Sequence, residues 1–407
     1  MSGAALLLRV SQYTDGRPAK PICLRKAPAL TRHRLEFVAV LVSIWVVLSV
    51  AAPPTFAVSG HATWAWGENT SGQLGSGGTD LSYVPVGVVG LTGVREVSAG
   101  ANHSLALLRS GQVVAWGSNG FGELGNNLVG SSYAPMAVSG LSHVKAIAAG
   151  YDFSLALLDD GSVMAWGYNF NGELGDGNTT DSYIPVAVSG LNRVIAIAAG
   201  SNFALALLDT GIVMAWGDNH YGELGVGTTT SSYIPEMVDG LNNVKAISAG
   251  HDFSLALVDT GAVMAWGDNF LGQLGNGTAT SSYFPVNVSG LHHVKAISAG
   301  YGFNLALMNN GTVMAWGDGY YGPLGNGSTN GSLVPASVPG LHAVRAVSVG
   351  PAFSLALLHN RTVMAWGDNY YGELGIGQGA SAAVPEAVPG LHNIQTISAG
   401  LNFGLAS

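Results

Sequence analysis

From residue 63 onward, apolar residues come in short bursts separated by glycine and polar punctuation, a strand pattern with no helical period. One stretch, 144–193, serves for all. Val144–Ala149 (VKAIAA) is short, apolar and closed by Gly150, and Phe153–Leu158 (FSLALL) alternates large and small residues. An Asp-Asp-Gly turn at 159–161 leads into Val163–Trp166 (VMAW), a hairpin signal of the Asp-Gly type. Ile184–Val188 (IPVAV) reads as a fourth strand, and Pro185, which has no N–H for a ladder, puts it at a sheet edge. Between the third and fourth strands, glycines at 167, 172, 175 and 177 allow a compact loop with positive φ.

This unit recurs every 50 residues. Ala-Trp-Gly begins at 65, 115, 165, 215, 265, 315 and 365, a proline stands at 85, 135, 185, 235, 285, 335 and 385, and no repeat carries an insertion. A repeated four-strand unit builds either a propeller or a stacked solenoid. The ends favour the propeller. Thr63–Trp66 is a third-type strand with nothing before it, and Ile394–Ser407 supplies a first and second strand with no third. The two fragments complete one blade and close a ring, which removes exposed edges. The expected fold is therefore an all-β, seven-bladed β-propeller over 58–407, with the N- and C-terminal strands in one shared blade. The seven equivalent tryptophans (66, 116, 166, 216, 266, 316, 366) are expected between blades, with the glycine after each allowing close approach.

Composition fits tight turns joining short buried strands: 59 glycines, 48% hydrophobic residues and 10% charged among 407. Seven of the 15 basic residues precede Phe37. Beyond residue 57 there remain eight basic against 22 acidic side chains, a net charge of −14 that argues against nucleic acid as a partner. The single cysteine, Cys23, also precedes Phe37, so the body has no disulfide or thiolate nucleophile.

Residues 1–57 read as a leader. Basic residues precede an uncharged apolar run of 16, Phe37–Ala52, and Thr55 and Ala57 fit a small-residue cleavage pattern. The alternative is an uncleaved membrane anchor, although 16 residues fall short of the roughly 20 that span a bilayer. Either reading leads to the expectation of a secreted or cell-surface body, with membrane attachment through 37–52 as the variant.

The run Gly161-Ser-Val-Met-Ala-Trp-Gly-Tyr-Asn-Phe-Asn-Gly-Glu-Leu-Gly-Asp-Gly, continued by Pro185, Gly190-Leu191 and Ile197-Ala-Ala-Gly200, closely resembles the repeats of the regulator of chromosome condensation family. The resemblance covers about 63–407 and implies a seven-bladed propeller with a blade shared between the chain ends. The family's founder is a chromatin-bound guanine-nucleotide exchange factor for a small GTPase that uses a wedge-like insertion. Here all repeats have one length, and where many family repeats carry His, this chain has Phe at 153, 203, 253, 303, 353 and 403; only His103 keeps it.

Comparing the seven copies with one another separates scaffold from free positions. The first-to-second and third-to-fourth loops leave a four-strand meander on the same face, and there the copies differ most. Aromatic and imidazole side chains gather in these loops: Phe121, Tyr151, Phe170, His220, Tyr221, His251, Phe270, Tyr301, Tyr320, Tyr321, Tyr370 and Tyr371. They suit a protein partner or stacking on a carbohydrate. Asp218, Asp268, Asp318, Asp368, Glu123, Glu173, Glu223 and Glu373 share the loops. The Glu, with Gln73 and Gln273 in their place twice, are expected to accept hydrogen bonds from the loops' own backbone. No nucleophile elbow, P-loop or helical zinc motif occurs. His292, His293, His342 and His392 fall on the opposite face without a carboxylate at ligand spacing, so neither metal nor cofactor is expected. The functional expectation is a monomeric, non-enzymatic binding scaffold outside the cytoplasm, with a guanine-nucleotide exchange regulator as the alternative.

Overall fold

The computed structural model describes residues 63–407, which form seven four-stranded antiparallel sheets. In the unit read above, the strands are Val144–Ala149, Phe153–Leu158, Val163–Gly167 and Ser182–Ala187, in that order across the sheet. The first strand lies innermost, beside its counterparts in the neighbouring blades. The fourth strand starts two residues earlier than the apolar run suggests. Ser182 pairs with Gly167, and a bulge then carries the strand past Pro185, which sits on the outer edge.

The ring closes through the shared blade. Its order is Ser82–Gly87, Trp64–Gly67, Phe403–Ala406, Ile397–Ala399. Trp64 faces Ala406 and Gly67 faces Phe403, so the N-terminal strand docks on the C-terminal one along its full length. Between inner strands, Ser398 Oγ accepts from Ala99 N at 3.0 Å, as Ser98 Oγ does from Ala149 N at 2.9 Å. The boundary between the shared blade and the one that follows it therefore carries the same bond as an ordinary blade boundary.

The core lies between the sheets. Phe153, Leu155, Leu157, Val163, Leu174, Val188 and Val194 pack against Ala204, Ala206 and Trp216 of the next blade. All seven repeat tryptophans are fully buried, and each indole N–H donates to a carbonyl in the preceding blade's third-to-fourth loop: Trp116 to Gln73, Trp166 to Glu123, Trp216 to Glu173. Trp66 donates to Glu373 at 2.7 Å across the seam. A buried indole N–H needs such a partner. Ser154 Oγ donates to the same Glu123 carbonyl at 3.0 Å. The glycine after each tryptophan works within the blade rather than between blades. At Gly167, with φ +108°, a Cβ would lie 2.7 Å from Phe153 Cα on the adjacent strand. The close blade-to-blade approach falls on the Leu-Gly glycines: a Cβ on Gly175 would sit 2.8 Å from the Trp216 ring.

Candidate functional site

The first-to-second and third-to-fourth loops share one end of the ring and are tied together, with Asp268 N bonded to Asp252 O and Asp318 N to Gly302 O, both at 2.9 Å. Six of the seven third-to-fourth loops are built around an Asn. Asn169 Oδ1 accepts from Leu174 N, and its Nδ2 donates to the carbonyls of Asn178 and Thr180. The neighbouring Glu braces the loop tip. Glu123, Glu173, Glu223 and Glu373 accept from the backbone N–H of Phe121, Asn171, Tyr221 and Tyr371, and Gln73 and Gln273 do the same for Ser71 and Leu271. The acceptor role expected of these residues is the one they fill.

Bracing is costly for the carboxyls of Glu173, Glu223 and Glu373. Burial pushes Glu223 up to about 8 and Glu173 and Glu373 up to about 7, and nearby Asp218 or Asp368 adds to the rise. Burial and the proximity of Glu123 push Asp152 up to about 6. The amide at 273 avoids the cost, because its Nε2 donates to Asp268 Oδ2 at 2.8 Å.

One loop departs from the plan. Gly319 replaces the Asn and Pro323 the Glu, so both clips are missing. Gly319 lets the chain close against Asn330, whose carbonyl any Cβ would meet, and Tyr321 adopts φ +51°, rare for a bulky residue.

The twelve side chains singled out from the sequence all stand at this end of the ring, in four groups. Tyr151, His251 and Tyr301 rim a recess of about 110 Å³ at the mouth of the central channel, where the seven Gly turns of the inner strands converge. His251 lies 3.9 Å from the Tyr301 ring and 2.7 Å from Asp252. His220, Tyr221 and Phe270 line a notch of about 510 Å³, and His220 contacts Asp218 at 2.7 Å, which raises its pKa. Tyr321, Tyr370 and Tyr371 line another notch of about 550 Å³ with Asp368. Tyr320 packs edge-on against Tyr321, and Tyr370 against Tyr371. Phe121 and Phe170 belong to neither notch; Tyr168 bridges them, 5.0 Å from the first and 6.5 Å from the second. The most open rings are Tyr370, Phe270, Phe170 and Tyr320, at 74, 71, 70 and 66% exposure.

Sequence reasoning passed over Tyr168 and Tyr283. Tyr168 occupies the position that is Asp in four other copies, and the copy-by-copy comparison applied there would have found it. Tyr283 stands second in an outer strand, yet it lines the notch of the preceding blade because outer-strand tyrosines lean onto that blade's loop. His293 sits at the other end, where its carbonyl accepts from Asn309 N in a second-to-third turn.

The RCC1-like domain model matches residues 181–407, and regulator of chromosome condensation (RCC1) repeat models match 61–107 and 110–157, with a second repeat model at 94–123 and 144–173. Among solved structures, Prp20p from Saccharomyces cerevisiae, described with its binding to Gsp1p and histones, superposes with a TM-score of 0.78 at 23% identity, covering 85% of this chain and 90% of that one. The yeast RCC1 (Prp20) bound to Kap60 superposes at 0.76, with 23% identity and coverage of 85% and 88%. Human WBSCR16 gives 0.76 at 24% identity, covering 85% of this chain and 98% of its own. The expectation of a secreted or cell-surface protein is overturned here. The propellers matched over this span include a histone binder, and histones are partners inside the cell. Among the described residues no helix is long and apolar enough to cross a membrane. The apolar run 37–52 that prompted the expectation lies outside the described residues, and at 16 residues it is short for a bilayer. The partners named for these neighbours are proteins, so neither the carbohydrate nor the membrane is carried forward. With more than half its length matched by the domain model and the rest of the ring matched by repeat models, the chain belongs to the RCC1 repeat family.

Proposed function

We propose that this chain is a protein-binding regulator that engages its partner through the loop face. The observation that carries the reading is the concentration of large, exposed aromatic side chains there, on loops that, the Gly319–Pro323 loop apart, are held by buried Asn and Glu or Gln clips. Clustered exposed aromatic side chains of this kind mark interaction sites, and rigid aromatic anchors lose little entropy on binding. The test is affinity capture from cell extract with the full chain and with a variant carrying Ser at 320, 321, 370 and 371. The expected result is at least a tenfold loss of the captured partner with an unchanged melting temperature. Equal capture by the variant would remove this face from consideration.

A second reading is supported by one specific observation, the superposition on Prp20p, whose described partners include Gsp1p. On that reading the partner is a small GTPase and the regulation is nucleotide exchange, as in the founder of the family. Release of a fluorescent GDP analogue from a candidate GTPase, followed with and without the full chain, addresses it. Exchange requires acceleration at substoichiometric amounts of the chain, and tight binding without acceleration leaves the binding regulator alone.

A further inference from the structure

The ring sorts its charge by face. Fourteen of the 22 acidic side chains beyond residue 57 lie in the first-to-second and third-to-fourth loops. All eight Lys and Arg of the described residues lie toward the other end. Arg95, Lys145, Lys245, Lys295 and Arg345 each stand second in an inner strand, and Arg109, Arg193 and Arg361 lie in the turns there. The loop face thus carries a one-signed field with no Lys or Arg of its own to offset it, and such a field concentrates ligands of opposite charge.

Within that face the notch of Tyr321, Tyr370 and Tyr371 sets aromatic rings beside a carboxylate. Asp368 stands in its wall with Oδ1 committed to the N–H of Asn369 and Tyr370 and to Ser381 Oγ. Its Oδ2 has no hydrogen-bond partner among the described residues. The comparison with the equivalent blade is informative. There Gln273 donates to Asp268 Oδ2 at 2.8 Å, but here the neighbour is Glu373, a second acceptor. The mutual repulsion of Asp368 and Glu373 contributes to the raised pKa of Glu373. Tyr370 and Tyr371 meet edge to face, with 85° between planes and centroids 4.8 Å apart, and Tyr370 is largely open to solvent. An aromatic face beside a carboxylate oxygen that no protein donor occupies is the arrangement that recognises an ammonium or guanidinium group.

Resting on the loop-face reading above, we infer that the partner presents a basic segment to this face and seats one Lys or Arg side chain in the Tyr321–Tyr370–Tyr371 notch against Asp368. The acidic loops of the remaining blades attract the flanking basic residues, and the notch fixes the register.

The probe is a labelled nine-residue peptide of alternating Arg and Ser, followed by fluorescence anisotropy on the full chain, with a Glu-Ser peptide of equal length as the counterpart. Binding of the basic peptide alone is expected, weakening as salt rises from 50 to about 300 mM. Asp368→Asn and the Tyr370→Ser/Tyr371→Ser pair should each weaken it at least fivefold. Glu236→Gln, the same charge change on an outer strand toward the other end, should leave it within twofold. Equal losses in Asp368→Asn and Glu236→Gln would mean diffuse charge attraction and would overturn the notch, as would equal binding of the acidic peptide or none of the basic one. Melting curves for each variant separate a lost contact from a lost fold. If the Ser variants lose the protein captured from extract while the basic peptide never binds, this inference fails alone; if capture persists in the Ser variants, both fall.

Discussion

Glu223→Gln is the substitution whose outcome the structure constrains most tightly. Glu223 accepts from Tyr221 N at 2.8 Å, and its full burial, with Asp218 and Asp252 adding to the effect, pushes its pKa up to about 8. The folded-state value lies above the unfolded value of 4.5, so the carboxyl's contribution is intact below about pH 4.5. It is then lost progressively as pH rises and is gone above about 8. At about 1.4 kcal/mol per pH unit, the shift sets a ceiling of roughly 5 kcal/mol on that loss. Gln keeps the acceptor and adds a donor within reach of Asp218, the geometry that Gln273 already shows with Asp268. Weighing the charge-assisted bond that is given up, Glu223→Gln should stabilise the ring by about 1–3 kcal/mol at pH 8 and be close to neutral at pH 5. Urea denaturation of both proteins across pH 5–8 reads this as a flattened pH dependence in the variant. Gln273→Glu should show the mirror image, losing stability only toward high pH. Equal destabilisation by Glu223→Gln at pH 5 and pH 8 would refute the reasoning.

Two further outcomes are expected. His103 is fully buried, its Nδ1 has no partner among the described residues, and burial pushes its pKa down to about 4. A neutral buried imidazole costs stability as pH falls from about 6.5 toward 4, because only the unfolded chain protonates. His103→Phe, the residue in the six equivalent positions, should abolish that acid limb in melting experiments and leave pH 7.5 stability equal or higher, although the bond from His103 Nε2 to Ser154 Oγ is lost. Deleting 397–407 removes the two strands that complete the shared blade and exposes the edge of Trp64–Gly67 and one face of Trp66. The truncated chain should self-associate in light scattering or melt at least 10 °C lower; a monomer of unchanged melting temperature would contradict ring closure.

The ring was legible in the sequence because a 50-residue period without insertions exposes every strand seven times over, and because the orphan strands at the two ends complement each other. The bracing role of Glu123, Glu173, Glu223 and Glu373 was legible for a similar reason: Gln replaces them at 73 and 273, as an acceptor allows. Proximity around the ring was not. Tyr168 joins Phe121 to Phe170, and Tyr283 reaches the preceding blade, through contacts that no spacing along one repeat encodes. The purpose of the glycine after each tryptophan was also misplaced, since Gly167 and Gly175 look alike in sequence and differ only in which neighbour their missing Cβ would strike. The apolar run 37–52 misled on location because hydropathy alone does not separate export from other uses of such a segment.

The carbonyl of each bracing residue has a second duty. Glu123 holds its own loop tip with its side chain, and with its backbone oxygen it receives the Trp166 indole and the Ser154 hydroxyl of the following blade. Pro323, which cannot brace a tip, still receives Trp366 and Ser354. Variation is thereby partitioned: the two tip residues before the Gly-x-Leu-Gly turn are free to diversify recognition, while the residue behind them answers to its neighbour's interior. A face built this way acquires new specificities one copy at a time without renegotiating the fold.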